Sequence, residues 1–203
     1  MAMVYDRMMA GVEEAGLSQW RAELLGEAFG ATLELGAGTG RNLSFYPDGV
    51  TRLVLAEPDR AMRTRLHRAV VSTERPLAPE VVDAPAEALP FDDASFDTVV
   101  ATLVLCSVGD PGRALDEVRR VLRPEGRFLF IEHVAADDRP PRLRWQRRVE
   151  PLWRAVAGNC HLTRRTETAI AAAGLTVEHL ERASMRKAPS FVRPTIRGTA
   201  RAA

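Results

Sequence analysis

The sequence is poor in three features, each of which would define a class of protein. Only two of its 203 residues are cysteine, which is too few for a disulfide-based fold, so we expect Cys106 and Cys160 to be free thiols in a reducing cytoplasm. No run approaches the roughly 18 apolar residues of a membrane helix, so we expect no transmembrane segment. Neither zinc-ligand spacing nor aromatic platforms accompany the arginines, which argues against a nucleic-acid partner.

What the chain does contain is the composition of one globular domain, with 46% hydrophobic and 27% charged residues. Its charge is unevenly distributed, because residues 139–203 hold fourteen Arg and Lys against four Glu. This basic third favours either contact with an anionic substrate or membrane surface, or a solvated face paired with the acidic remainder. The sequence does not predict an oligomeric state.

Short β-rich runs alternate with helical patterns from residue 31 onward, which is typical of an α/β fold with parallel strands. The runs are ATLELG, VTRLVLAE, PEVVDA, FDTVVATLV and GRFLFIEHV, and two later strands are predicted near Leu175–Arg182 and Pro194–Arg201. We therefore predict a Rossmann-like, seven-stranded, mostly parallel sheet with helices on both faces.

The same pattern divides the single domain, residues 1–203, into four parts. Residues 137–165 are rich in Arg, Pro and Trp, show no simple crossover helix, and are predicted to be an irregular substrate lid inserted after strand five. Trp145 and Trp153 with Leu152 either wall the cleft or pack within this lid. The parts are an N-terminal helical flap (1–30, two helices split near Gly16), a cofactor-binding core (31–136), the lid (137–165) and a C-terminal helix with two strands (166–203).

A glycine loop, ELGAGTG, follows the first strand and opens a helix, where open α/β sheets bind ligands. Glycines at 36, 38 and 40 let the backbone approach a ligand closely, but their spacing differs from the dinucleotide pattern G-x-G-x-x-G. Glu34 would repel a pyrophosphate and attract an ammonium group, by about 4 kcal/mol at about 4 Å and an effective dielectric near 20 before desolvation. Nicotinamide binding is therefore disfavoured.

A second acid, Glu57, ends the second strand twenty-one residues after Gly36. A carboxylate there can accept both ribose hydroxyls, a role that nicotinamide and S-adenosylmethionine sites share. The alternative is an acid at a helix N-terminus beside Pro58. Glu57 therefore indicates a ribose without deciding between the two cofactors.

Four motifs in order resemble the class I S-adenosylmethionine-dependent methyltransferases. The family's motifs are E-x-G-x-G-x-G, an acid after strand two, D-A-E-x-L-P-F and R-V-L-R-P-G-G. They correspond here to ELGAGTG at 34–40, Glu57, PAEALPF at 85–91 and RVLRPEG at 120–126, where Glu125 replaces the first glycine of the last motif. Pro85 stands where that family has an adenine-binding Asp, which leaves the backbone of Ala86 and Glu87 to contact adenine. The resemblance implies S-adenosylmethionine as cofactor and S-adenosylhomocysteine as product. The donor-binding residues that it implies are Tyr5, Glu34, Gly36, Ala37, Gly38, Gly40, Glu57, Pro58, Ala86, Glu87, Thr102 and Leu103.

The C-terminal half is similar to the animal alkyl thiol methyltransferases, also called the methyltransferase-like 7 family. The segments that carry this resemblance are ATLVLCSV, FIEHVAA, CHLTRRT and VRPTIRGTA. It implies a small-molecule acceptor, a thiol in the first instance. The alternatives are the hydroxyl or amine of a natural product, a quinone or a phospholipid head group, and a silent protein that binds S-adenosylmethionine without turnover.

The implied chemistry is an in-line displacement at a sulfonium methyl, which needs no metal. A thiol is partly ionised at neutral pH, so alignment suffices for it, whereas a hydroxyl acceptor needs a base. His133 is the first candidate for a base or for orienting the acceptor, with a structural role as its alternative, and His161 in the lid is the second. We interpret Cys106 as a core residue and consider, but do not favour, a thiolate at Cys160 beside His161.

Overall fold

The computed structural model describes residues 9–73 and 78–202. Its strands are β1 (Gly30–Leu35), β2 (Val50–Ala56), β3 (Glu80–Val82), β4 (Phe96–Thr102), β5 (Leu122–His133), β6 (Leu175–Ser184) and β7 (Pro194–Ala202). Its helices are α1 (Ser18–Leu25), α2 (Arg60–Ser72), α3 (Pro111–Val121), α4 (Pro140–Val156) and α5 (Thr166–Ala172). A π-helical turn (Glu13–Leu17) precedes α1, and a 3₁₀ turn (Leu43–Phe45) follows β1.

The strands form one seven-stranded mixed sheet in the order β3-β2-β1-β4-β5-β7-β6. The pairings β1–β2, β1–β4, β2–β3 and β4–β5 are parallel, whereas β7 is antiparallel to both β5 and β6. Because β1, β2, β4 and β5 run in one direction, their carboxyl ends meet at the same edge of the sheet. The loops that follow these four strands therefore lie together there.

Apolar side chains alternate across the sheet and build a core on each face. Phe128 and Phe130 of β5 pack with Leu115 of α3 and Ile170 of α5. Leu129 and Ile131 of the same strand join the other core, whose helical members include Leu24, Leu25 and Leu66 from α1 and α2. Helices thus cover both faces, as the α/β alternation predicts.

The N-terminal helical segment is interrupted at Gly16, as the sequence predicts. Gly16 has a φ of 133°, which L side chains rarely adopt, and it lies inside the π-helical turn. Val12 and Leu17, on either side of the interruption, are both buried in the core. Residues 9–25 are therefore packed onto the sheet.

The predicted irregular character of residues 137–165 is wrong, because α4 occupies seventeen of them. Pro140 and Pro141 begin the helix, where a missing N–H costs nothing, and Pro151 lies inside it. The three prolines made a helix unexpected from the sequence, and packing against the rest of the fold stabilises it. Within residues 9–73 and 78–202, none of the helices is long and apolar enough to cross a membrane.

Candidate active site

In the glycine loop at the end of β1, neighbouring side chains fill the space beside the first and third glycines and leave space beside the second. Gly36, Gly38 and Gly40 have φ values of 53°, 59° and 88°, in the left-handed region that favours glycine. A Cβ on Gly36 would lie 2.8 Å from Val104 Cγ2, and one on Gly40 would lie 2.8 Å from Leu43 Cδ1. A Cβ on Gly38 would meet nothing closer than 3.9 Å. The backbone at Gly38 is thus the part of the loop with room for a ligand, whereas neighbouring Ala37 is buried in the core.

Glu57 holds this loop against the start of α2. Its two carboxylate oxygens accept hydrogen bonds from the backbone N–H of Gly38 and of Asp59, each at 2.8 Å. Burial raises the pKa of Glu57, and these two N–H groups oppose that shift. Each oxygen keeps a lone pair for a ribose hydroxyl. Pro58, beside it, is exposed.

Glu34 lies inside β1 and is 2% exposed. Its oxygens accept from Asn42 Nδ2 at 2.9 Å and from Tyr46 Oη at 2.7 Å. Burial raises the pKa of this carboxyl to about 7, while Tyr46, the charge of Arg21 and Asn42 lower it. Glu34 therefore titrates near neutral pH in the unliganded protein. A nearby cation would favour its ionised form.

A buried polar network connects Glu34 to the N-terminal segment. Arg21 is 3% exposed; its Nε bonds to both carboxylate oxygens of Glu13 at 3.2 Å, and its Nη1 to Asn42 Oδ1 at 2.7 Å. Thr102 Oγ1 accepts from Arg21 Nη1 at 2.9 Å and from Asn42 Nδ2 at 3.0 Å. The predicted donor-site residue Thr102 thus has its hydroxyl in this network.

Sequence reasoning missed Arg21 and Asn42, although the position of Arg21 carried a signal. It follows Leu17 by four residues and precedes Leu24 by three, so it lies on the apolar face of the helix. A charged residue there needs buried partners, which are Glu13 in the π-helical turn, Asn42 after the glycine loop and Thr102 at the end of β4.

The loop after β4 is held by the end of β5. Leu103 has a φ of 60°, which is strained for a leucine. Oxygens of Glu132 accept from the N–H groups of Val104 and Leu105 at 2.9 Å and of Cys106 at 3.3 Å. Burial raises the pKa of Glu132 to about 7, against these three bonds. This fixes the turn that packs against Gly36.

The remaining predicted donor-site residues lie in the loop after β3. Ala86 is buried, and Glu87 Oε1 accepts from the N–H of Gly109 at 2.6 Å, which joins this loop to the one before α3. The structure thus brings the loops after β1, β2, β3 and β4 to one edge of the sheet. Tyr5 lies outside the described residues.

The end of β5 carries a cluster of sulfur and imidazole groups. His133 Nε2 lies 2.8 Å from Cys160 Sγ, and the ligand atoms of Cys106, His133 and Cys160 all lie within 4.8 Å of one another. All three residues are buried, and both cysteines are free. The imidazole that contacts Cys160 is that of His133, whereas Nδ1 of His161, its neighbour in sequence, lies 3.8 Å from Glu150 Oε1. Adjacency in sequence does not give contact in the fold.

Two thiols and an imidazole are ligands that zinc prefers, yet their spacing indicates a direct hydrogen bond. Nitrogen and sulfur ligands of one tetrahedral zinc lie about 3.5 Å apart, given bond lengths of about 2.0 and 2.3 Å. The 2.8 Å between His133 Nε2 and Cys160 Sγ is shorter than that. His133 Nδ1, which in a metal site would be held by a second hydrogen bond, has no such partner among the described residues.

Charge in this cluster is concentrated on one sulfur. The neighbouring thiol of Cys106 lowers the pKa of Cys160, burial opposes this shift, and His133 adds to it. The same contact raises the pKa of Cys106. Burial would lower the pKa of His133, but the contact with Cys160 outweighs it and the pKa is raised. For His161, burial and then Arg164 lower the pKa.

Comparison with known proteins decides the family. The sequence model of the methyltransferase domain matches residues 33–130, from β1 to β5. Human thiol S-methyltransferase TMT1A is 37% identical over 169 residues, which cover 83% of this chain and 69% of that protein. The chain belongs to the class I S-adenosylmethionine-dependent methyltransferases. The resemblance expected from the sequence is confirmed.

Two further comparisons show how much of the length of its relatives this methyltransferase covers. Human thiol S-methyltransferase TMT1B is 42% identical over 137 residues, which cover 67% of this chain and 56% of TMT1B. The chain therefore spans little more than half the length of that relative. The solved structure of YcgJ from Bacillus subtilis superposes with a TM-score of 0.68 at 19% identity, covering 92% of this chain and 95% of that one, and shares the fold.

Proposed function

We propose that this methyltransferase transfers a methyl group from S-adenosylmethionine to a small apolar thiol and releases S-adenosylhomocysteine. The observation that carries the proposal is the pairing of two buried acids with an open glycine loop at the carboxyl edge of the sheet. The thiol is supported by two relatives, TMT1A and TMT1B, that are named thiol S-methyltransferases.

The donor would lie along the loops after β1 to β4. The ionised Glu34 attracts the ammonium of the methionine moiety, and Glu57 accepts the ribose hydroxyls with its free lone pairs. The open space at Gly38 admits the donor close to the backbone. Leu103 would line the methionine moiety, with the backbone of Ala86 contacting adenine.

In the reaction, the acceptor sulfur attacks the sulfonium methyl carbon as the carbon–sulfur bond to the donor breaks. The bonding electrons return to the donor sulfur, and the products are a thioether and S-adenosylhomocysteine. The acceptor loses its proton beforehand, which a thiol does readily near neutral pH. His133, held in the cluster with Cys106 and Cys160 at the end of β5, orients the acceptor. No dedicated base is required.

A methyl-labelled donor, incubated with purified protein and a panel of alkyl thiols, hydrogen sulfide, phenols and amines, tests the acceptor class. We expect label in alkyl thioethers, with a rate that rises towards about pH 8 to 9 as the acceptor ionises. Glu80→Ala, which changes an exposed acid on β3, serves as the control with unchanged rate. Label found only on oxygen or nitrogen would refute the thiol assignment.

Residues 137–165 would form the lid over the acceptor, with α4 as its main element. Gln146 is fully buried and anchors the helix beside the end of β5: its Nε2 donates to the carbonyls of Val134 and Phe191 at 3.1 and 3.0 Å. Its Oε1 accepts from the N–H of Ala136 at 2.8 Å. Trp153 packs edge-on against Phe191 on the same side.

The outer face of α4 is apolar and basic. Trp145, Leu152 and Val156 are 48%, 73% and 59% exposed and recur at helical spacing, so they form one exposed stripe. The helix carries five arginines against one glutamate, at Arg142, Arg144, Arg147, Arg148, Arg154 and Glu150. An apolar stripe flanked by arginines suits the surface of an anionic membrane, so the lid would rest on one.

Sedimentation with lipid vesicles tests this contact. We expect the protein to bind vesicles containing phosphatidylglycerol, to bind pure phosphatidylcholine weakly, and to be released by salt. The double change Trp145→Ser and Leu152→Ser should abolish binding, whereas Val71→Ser, at an 87% exposed position on α2, should not alter it. Equal binding to neutral vesicles, or by the double variant, would rule the contact out.

A further inference from the structure

Three elements that are distant in sequence build the cluster at the end of β5. Cys106 lies in the turn after β4, His133 ends β5, and Cys160 lies in the connection between α4 and α5. The backbone N–H of His161 donates to the carbonyl of Cys106 at 2.8 Å, so the two cysteine-bearing segments are already joined. Cys160 is 8% exposed and Cys106 is 2% exposed, so Cys160 is the more accessible of these two buried residues.

The two sulfurs differ in charge as well as in exposure. His133 Nε2 lies 2.8 Å from Cys160 Sγ, and His133 and Trp153 join Cys106 in lowering the pKa of that thiol. Cys106 keeps its proton, since a second negative charge beside Cys160 and Glu132 in a buried site is unfavourable. In this arrangement the more exposed cysteine is a thiolate that can attack a disulfide. The less exposed cysteine is a protonated thiol that can then resolve the mixed disulfide.

We propose that Cys160 and Cys106 form a redox-active dithiol that reduces low-molecular-weight disulfides. The Cys160 thiolate attacks one sulfur of a disulfide RSSR, forms a mixed disulfide with it and releases RS⁻, which takes a proton from solvent. Cys106 then attacks Cys160 Sγ, loses its proton and releases the second thiol. The products are two RSH and a Cys106–Cys160 disulfide, which an external dithiol reduces again.

The geometry explains the order of the two steps and the size of the substrate. Cys160 is the more exposed of the two buried cysteines, so the first attack is expected there, and its small exposure favours a small disulfide. Once Cys160 is bound in a disulfide it no longer carries the charge that holds His133. The new bond would also tie the connection between α4 and α5 to the turn that packs against Gly36.

A coloured disulfide, 4,4′-dithiodipyridine, tests the proposal on the purified, reduced protein. The wild-type protein should release two equivalents of thiopyridone and become two hydrogens lighter, with one peptide pair linking the two cysteines, and dithiothreitol should reverse the change. Cys106→Ser should release one equivalent and retain a mixed disulfide at Cys160. Cys160→Ser should react at least about tenfold more slowly, because Cys106 is protonated and more buried.

A further variant separates the role of the imidazole from simple packing. His133→Asn should slow the first release about tenfold without changing its final stoichiometry, provided that its circular dichroism and melting are those of the folded protein. Two mixed-disulfide adducts on the wild-type chain without a cross-link would overturn the proposal. So would one equivalent of zinc in the purified protein whose removal is required before either thiol reacts, since that would assign the cluster to a metal.

Discussion

Replacing Arg21 by methionine is expected to lower the free energy of unfolding by about 3–5 kcal/mol. The guanidinium is 3% exposed and bonds to Glu13, Asn42 and Thr102. Removing it leaves the buried Glu13 carboxylate without its cation and the side-chain oxygen of Asn42 without its donor. Denaturant unfolding monitored by circular dichroism measures the change.

A matched control separates burial from the ion pair itself. Arg52 bonds to Glu80 at 3.0 Å, close to the 3.1 Å between Arg21 and Glu13, but these side chains are 47% and 54% exposed. Water and salt screen such a pair, so Arg52→Met should cost about 1 kcal/mol or less. Equal losses in the two variants would show that the network around Arg21 does not stabilise the fold as we argue.

Replacing Glu34 by glutamine is expected to weaken S-adenosylmethionine binding by about 1–3 kcal/mol, or roughly 5- to 150-fold. The change keeps the shape of the side chain and removes the charge that attracts the ammonium group. Calorimetric titration of the wild-type protein and the variant measures the difference. An equal dissociation constant would remove Glu34 from the donor site.

The pH dependence of donor binding follows from the raised pKa of Glu34. Because that pKa is about 7 without ligand, a proton competes with the ammonium group below it. The advantage of the wild-type protein over Glu34→Gln should therefore grow as pH rises from about 6 to about 8 and then level off. Glu132 also titrates near pH 7 but is present in both proteins, so the comparison isolates Glu34. An advantage that shrinks over this range would contradict the assignment.

The contribution of Glu34 to the free energy of unfolding should fall as pH rises, whereas its contribution to donor binding should grow. The folded-state pKa of Glu34 is raised from 4.5 to about 7, so the protonated form favours folding. This contribution is complete below about pH 4.5 and is lost as pH rises through about 7. The unfolding free energy of the wild-type protein relative to Glu34→Gln should fall over that window.

Local sequence patterns predicted the sheet because each strand carries its own signal. The runs around Leu33, Val54, Val99 and Phe128 are apolar and β-branched or aromatic, as strands buried on both faces require. All seven strands were predicted from their local sequence, although β3 and β6 are mostly not buried. In α4 the local sequence does not predict the observed helix, since prolines and arginines outnumber its buried positions. Gln146 holds this helix in place through tertiary contacts that no local pattern shows.

The candidate site was predictable where function follows backbone geometry and unpredictable where it follows tertiary contact. The glycines at 36, 38 and 40 all adopt positive φ, as a turn of this kind demands. By contrast, Arg21 and Thr102 are 81 residues apart, and His133 and Cys160 are 27 apart. Only the packed fold brings these pairs together.

A methyltransferase of this kind requires a site at the end of β1 that accepts a cationic methyl donor in preference to a diphosphate. Titrating the purified protein by calorimetry with S-adenosylmethionine and, separately, with NAD⁺ measures this preference directly. We predict saturable binding of S-adenosylmethionine at one site per chain and no measurable binding of NAD⁺. Saturable binding of NAD⁺ with none of S-adenosylmethionine would contradict the account.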